Sequence, residues 1–286
     1  MFLAACAVAS GPQMSSAAFA VPNPYVPSGS ARPVVGRLIT IGDSYSDSVD
    51  GRRPWIWNQQ FLALGYAKSL TDVALIGASA AATAINGKIR SFAAQVDEWL
   101  ALRQTLAPND LTVVYFGQND INWLVDLGPS KAALRENITR LISAGASADG
   151  RCILLVLCHN VARNPGAINF PNCKANYAVW KQMIPDIAAS VPGVLMVDLL
   201  TAFSSIYGNP HSVGLTNTTT PSVPLSETTH LYRDQGHFGR KGHRLICQVV
   251  RYYLTSGWDS ANTLVPGSSM ARSRLLEDVA ARKVFR

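Results

Sequence analysis

The chain has 286 residues, of which 48% are hydrophobic and only 15% charged, which excludes intrinsic disorder and suits one large domain or two small ones. Its formal charge is +7 with a pI near 9.3, but the lysines and arginines are scattered and gather only at 240–244 and 271–286. No basic stripe interleaved with aromatics is present, so the charge reads as a solvated surface and not as a nucleic-acid site; attraction to acidic polysaccharide or to an anionic membrane surface stays open.

Residues 1–20, MFLAACAVASGPQMSSAAFA, carry no charge and end in Ala18-Phe19-Ala20. That small-x-small ending predicts a signal peptide cut before Val21 and an extracellular protein, with a disordered tail as the alternative. Residues 21–35, rich in Pro, Ser and Gly, read as an exposed lead-in. No other apolar run reaches the length of a membrane span.

Near-continuous apolar runs follow at 38–41, 73–76, 111–116, 152–157 and 194–197, as expected of strands buried on both faces. Helix candidates lie between them at 55–67, 89–104, 131–144 and 175–190. A final helix is marked by Leu245, Ile246, Val249, Val250, Tyr253 and Leu254 on one face. This alternation predicts one doubly wound α/β domain with about five parallel strands. Residues 208–229 form a long polar loop before the last helix, read equally as a lid or as a flexible connection.

Cysteines stand at 6, 152, 158, 173 and 247. Removal of a leader would leave four, either as two disulfides in one of three pairings, Cys158 with Cys173 being the most local, or as buried thiols. Asn137-Ile138-Thr139 and Asn217-Thr218-Thr219 match the glycosylation sequon.

In an open α/β sheet, ligands bind beyond the carboxyl ends of the strands. The first expected strand ends in Gly42-Asp43-Ser44, the second in Gly77-Ala78-Ser79 and the third in Gly117-Gln118-Asn119-Asp120, while Asp234 and His237 precede the last helix. A serine hydroxyl becomes a nucleophile only with a base in reach, normally a histidine held by a further group; Ser44, His237 and Asp234 can fill these roles. The backbone amides of Ser44 and Gly77 and the side chain of Asn119 can receive an oxyanion, and Gly77 lacks a Cβ that would crowd an acyl group.

The competing readings are plain ones. Ser44 can be a helix N-cap, and His243 is a rival base that also suits packing within the last helix. His159 and His230 read as loop or rim residues. Asp43 and Asp47 can form an acid/base or metal-binding pair, or simply hydrogen-bond the turn, and Asp120 can brace its loop. Trp55, Trp57 and Trp123 read as ligand platforms or as core. No GxSxG, GxGxxG, Walker, HExxH or paired CxxC motif occurs, which disfavours an ordinary α/β hydrolase, a dinucleotide enzyme, an NTPase and a zinc protease.

GDSYSD around Ser44, the glycine of LIGAS, the GQND containing Asn119 and the DQGH ending at His237 together resemble the GDSL or SGNH hydrolases, a family of serine esterases and lipases. The blocks follow the family's order from 38 to 254, and THLYRDQGHFGRKGHR is most similar to the secreted plant, fungal and hemolysin-type branches. Phe238 stands where those branches usually carry proline, and the interval from Ser44 to Gly77 is shorter than theirs. The resemblance implies a three-layer α/β/α sandwich with a flavodoxin-like sheet, a hydrolase domain at 36–258 and a basic tail at 259–286. It makes Ser44 the nucleophile, His237 the base and Asp234 its partner, with Ser44, Gly77 and Asn119 as oxyanion donors and no metal or cofactor required. It further implies a secreted monomer hydrolysing carboxylic esters of carbohydrate, short-acyl ester or lipid type through an acyl-enzyme, with peripheral membrane or cell-wall contact left open. An acyltransferase with the same triad, or an inactive glycan- or surface-binding module, is the alternative.

Overall fold

A computed structural model describes residues 23–26, 32–49, 51–82, 84–85, 88–148, 151–222 and 228–285. Five parallel strands, β1 (Val35–Gly42), β2 (Ala67–Asp72), β3 (Leu111–Tyr115), β4 (Ile153–Leu157) and β5 (Val194–Asp198), form one sheet. β3 and β4 are buried at every position, which is why they read as unbroken apolar runs. The order is β2-β1-β3-β4-β5, the flavodoxin-like doubly wound arrangement. The direction of winding reverses between β1 and β3, so a crevice opens beyond their carboxyl ends.

The helices are α1 (Trp57–Ala63), α2 (Phe92–Ala101), α3 (Gln118–Trp123), α4 (Gly128–Ser143), α5 (Cys173–Ser190), α6 (Leu199–Gly208), α7 (Arg240–Tyr253), α8 (Trp258–Thr263) and α9 (Ser269–Ala280). On one face of the sheet α1 packs on α7 and α7 on α6; on the other α2 packs on α4 and α4 on α5. Three layers result, with the core between them. The apolar stripe of α7 is buried at each expected position, Leu245, Ile246, Val249, Val250, Tyr253 and Leu254.

Several boundaries differ from expectation. The second strand is 67–72, not 73–76, because an edge strand keeps polar side chains, here Lys68, Ser69, Thr71 and Asp72. The apolar residues after it still donate to β1, Val73 N to Thr40 O and Leu75 N to Gly42 O, both at 3.0 Å. They carry the chain along the sheet to Gly77. α1 ends early because Gly65 turns the chain at φ +70° into β2.

Residues 259–285 are not a loose basic tail. They contribute most of α8 and all of α9, which packs on α6. Leu275 is buried, and buried Asp278 accepts from the Tyr252 hydroxyl at 2.7 Å and pairs with Lys283 at 2.9 Å, so the folded unit runs past 258. The described part of the lead-in is also anchored. Tyr25 is fully buried and its hydroxyl donates to Asp110 O at 3.1 Å. The expected signal segment and Cys6 lie outside the described residues.

Cys152, Cys158, Cys173 and Cys247 are buried and free. Asn137 is buried within α4 and its side chain donates to Ala133 O at 2.9 Å, so that sequon presents no accessible amide.

Candidate active site

β1 delivers the site through a glycine that no other residue can replace. A Cβ on Gly42 would lie 2.2 Å from the Tyr115 carbonyl oxygen, so only glycine lets β1 run this close to β3. The Gln95 side chain fixes the same residue from both sides, accepting from Gly42 N at 2.8 Å and donating to Gly42 O at 2.9 Å. The chain then turns, with Tyr45 N donating to Asp43 Oδ1 and Ser46 N to Asp43 O, each at 3.0 Å. Ser44 sits on that turn and not at the start of a helix.

Ser44 Oγ is 2.8 Å from His237 Nε2, and His237 Nδ1 is 2.9 and 3.1 Å from the two Asp234 oxygens. Asp234 Oδ1 also accepts the amides of Gly236 at 2.9 Å and His237 at 2.8 Å, which ties the loop into one conformation. Burial alone would raise the Asp234 pKa, but hydrogen bonds from the His237 ring and these amides outweigh it and hold the carboxyl down at about 2. A carboxylate can only accept, so His237 Nδ1 carries the proton and Nε2 is left to accept from the serine hydroxyl.

The other two rims are stitched to this turn. Asp47 Oδ2 accepts from Ile76 N at 2.7 Å, and Asn119 Nδ2 donates to Ala78 O at 2.7 Å. Gly77 lies between those anchors at φ +77°, a conformation that costs an L-residue about 1–2 kcal/mol. A Cβ there would meet no protein atom within 4 Å, so backbone conformation, not crowding by the protein, is what requires glycine. The amides of Ser44 and Gly77 donate to no acceptor among the described residues. Asp120 stands in α3 and not in a loop, and it braces the segment after Gly77, accepting from Ala80 N at 3.0 Å, and the start of α4 through the Ser130 hydroxyl at 2.6 Å.

The cleft at Ser44 measures about 140 Å³ and is lined by Ile56, Ile76, Phe238, Trp55, Arg53 and Arg233, together with the triad residues and His243. Trp57 is core and donates to Ser46 Oγ at 3.1 Å, whereas Trp123 is exposed. Phe238, which stands where a proline was expected from the resemblance to the secreted branches, is fully buried and stacks on Phe203 with centroids 4.9 Å apart. Aromatic packing anchors the loop that a proline would otherwise stiffen.

One group of residues behind His237 carries almost no sequence signal. The Tyr45 hydroxyl donates to Gly236 O at 2.8 Å and Asn164 Nδ2 donates to the same oxygen at 3.2 Å. His159 Nε2 bonds Asn164 Oδ1 at 3.0 Å. Two donors thus converge on the carbonyl one residue before His237. Asn164 lies 72 positions from its acceptor, and only the adjacency of Tyr45 to Ser44 hints at the arrangement.

His159 is a fully buried member of this network, not a rim residue, and burial pushes its pKa down to about 4. Burial, with His237, Arg233 and Arg53 nearby, pushes His243 down to about 3. Both are neutral when folded, while the unfolded chain takes up these protons near pH 6.5. Stability is therefore present above that value and is lost as pH falls toward 4 and 3. Asp43 works in the opposite sense: burial raises its pKa to about 7, so its contribution is lost as pH rises through that value. Comparing variants isolates one group. His243→Gln is expected to flatten the acid limb by on the order of 2 kcal/mol between pH 7 and 4, measured by urea unfolding across that range; an unchanged limb would contradict the neutral assignment.

A hydroxyl on an imidazole oriented by a carboxylate, with free amides beside it, is equipped for acyl transfer. A match to a known family points the same way. The model of the GDSL-like Lipase/Acylhydrolase family matches residues 40–245. Similar solved structures include a protein from Lactobacillus plantarum (15% identity, 77% of this chain and 97% of that one, TM-score 0.50). A putative platelet activating factor from Streptococcus pneumonia is also similar (14%, 77% and 84%, TM-score 0.52), as is a catalytic mutant of an acetylxylan esterase from Geobacillus stearothermophilus (15%, 77% and 94%, TM-score 0.49). At these identities the first two likenesses speak to the fold. No curated protein matches the chain in sequence. With the family match spanning most of the sheet and reaching into α7, the chain belongs to the GDSL-like lipase/acylhydrolase family and is a carboxylic ester hydrolase.

Proposed function

We propose that the protein is a secreted serine esterase that removes short acyl groups, including acetyl groups on carbohydrate, through an acyl-enzyme on Ser44. The observation that carries this reading is the relay of 2.8 and 2.9 Å from Ser44 through His237 to Asp234, opening on a cleft of about 140 Å³. Typical small-molecule pockets begin at about 300 Å³, so a long acyl chain finds little room. Export rests on the uncharged residues 1–20 and their Ala18-Phe19-Ala20 ending. Among the described residues no helix is long and apolar enough to cross a membrane.

In this mechanism Ser44 Oγ attacks the ester carbonyl carbon as its proton passes to His237 Nε2. Asp234 stabilises the imidazolium through Nδ1. The carbonyl oxygen, now an oxyanion, is received by the amides of Ser44 and Gly77 and by Asn119 Nδ2, each such donor being worth about a hundredfold or more in rate. The bond from carbon to the alcohol oxygen breaks, and His237 returns the proton to the departing alcohol. Water then attacks the acyl carbon, giving a proton to His237. The bond to Oγ breaks, Ser44 regains its proton and the free acid leaves.

A panel of aryl esters from acetyl to decanoyl, with acetylated xylan fragments alongside, tests the reading. The expected result is a kcat/KM highest for acetyl to butyryl and falling at least tenfold by octanoyl. A profile that rises with chain length would overturn the short-acyl assignment.

A further inference from the structure

Resting on that esterase reading, we infer that the site selects esters whose alcohol portion carries a negative charge, with Arg53 as the recognising group and Arg233 beside it. The floor of the cleft is apolar, with Ile56 almost fully and Phe238 fully buried, and it suits a small acyl group. Both guanidinium groups line the same cleft as Ser44 and His237. At about 140 Å³ the cleft holds little beyond the acyl group, so a charge that meets these arginines belongs to the alcohol.

Among the described residues Arg53 has no acidic partner. Its side chain's one hydrogen bond among the described residues is a long 3.5 Å contact from Nη1 to the Asp47 carbonyl oxygen. The Asp47 carboxylate is already occupied, accepting from Val49 N and Ile76 N at 2.7 Å each. Asp234, the single carboxylate lining the cleft among the described residues, is held by His237 and two amides. Arg233 lies 3.6 Å from it through Nε, makes no hydrogen bond through that nitrogen among the described residues, and rests over the Trp55 ring at 5.5 Å. Two cations therefore face one committed carboxylate at the mouth of a site that holds an ester. A carboxylate or phosphate on the alcohol supplies the missing acceptor, and a planar guanidinium pairs with either in two parallel bonds.

The test uses three acetyl esters with comparable aryl leaving groups: neutral methyl 4-acetoxybenzoate, 4-acetoxybenzoate and 4-acetoxyphenyl phosphate. In Arg53→Gln the ratio of kcat/KM for each anionic ester to that for the neutral one is expected to fall by about fivefold or more, carried by KM. Arg53→Lys should recover part of the ratio, and raising salt from 20 to 500 mM should lower the wild-type ratio in the same direction. The two anionic arms show whether carboxylate or phosphate is preferred. If wild type hydrolyses the neutral ester but Arg53→Gln leaves both ratios unchanged, anion recognition by Arg53 is overturned and the esterase reading stands. If wild type hydrolyses none of the three, the esterase reading fails and the inference falls with it.

Discussion

Ser44→Ala is expected to lower kcat on a short aryl ester by roughly 10⁴- to 10⁶-fold, the range seen when the nucleophile of a serine triad is removed, with little change in unfolding. The loss is large because the hydroxyl supplies the atom that bonds to the acyl carbon, and no neighbour replaces it. Ser46 Oγ accepts from Trp57, and Ser79 Oγ donates to Ala81 O. Stability should barely move, since the substitution removes one hydrogen bond to an imidazole that is 36% exposed, worth about 1 kcal/mol at most. Steady-state kinetics and a urea transition on the same preparation separate the two effects. Retained turnover in a folded variant would remove Ser44 from the mechanism.

Asp234→Asn is expected to cost roughly 10³- to 10⁴-fold in kcat, and the reason is the proton on His237. An asparagine oxygen can keep the two amide bonds now made by Asp234 Oδ1, so the loop is preserved. Its amide nitrogen then faces His237 Nδ1 as a donor and drives the ring proton to Nε2. Nε2 would donate to Ser44 Oγ instead of accepting from it, and the base is lost without any loss of structure. KM should change far less than kcat. A variant that retained full kcat would show that His237 needs no carboxylate partner.

The fold was readable where burial is two-sided. β3 and β4 are near-continuous apolar runs because neither face meets water, and the runs within β1 and β5 are nearly as buried, with only Leu195 part-exposed. β2 was misplaced by several residues because an edge strand tolerates Lys68 and Ser69 in the open, so the apolar segment after it gave the stronger signal. α3 escaped notice because Asn119, Asp120 and Asn122 are polar yet buried, Asn119 and Asp120 bonding to Ala78 and Ala80 some 40 positions away, which no local pattern announces. α9 looked like a charged tail because its buried face includes a carboxylate, Asp278, whose partners are Tyr252, Arg274 and Lys283.

At the site, Ser44, Asp234 and His237 stood out in the sequence as a serine, a carboxylate and a histidine suited to one relay, and the structure brings them into contact. Gly77 was legible as a glycine but for an incomplete reason: its positive φ and not only room for an acyl group calls for it. Tyr45, His159 and Asn164 were not legible as a unit. They act through a backbone carbonyl at Gly236, and a carbonyl leaves no trace in residue identity. That Arg53 and Arg233 line one cleft was likewise hidden, because they lie 180 positions apart in the chain.

Reaction of the intact protein with a fluorophosphonate, followed by peptide mass spectrometry, tests the central claim most directly, because the reagent needs an activated serine and no particular substrate. One equivalent of label on Ser44 is expected, with none in Ser44→Ala and sharply slowed addition in His237→Ala. No addition to the folded protein, or addition at a different serine, would contradict the assignment of Ser44 as the nucleophile.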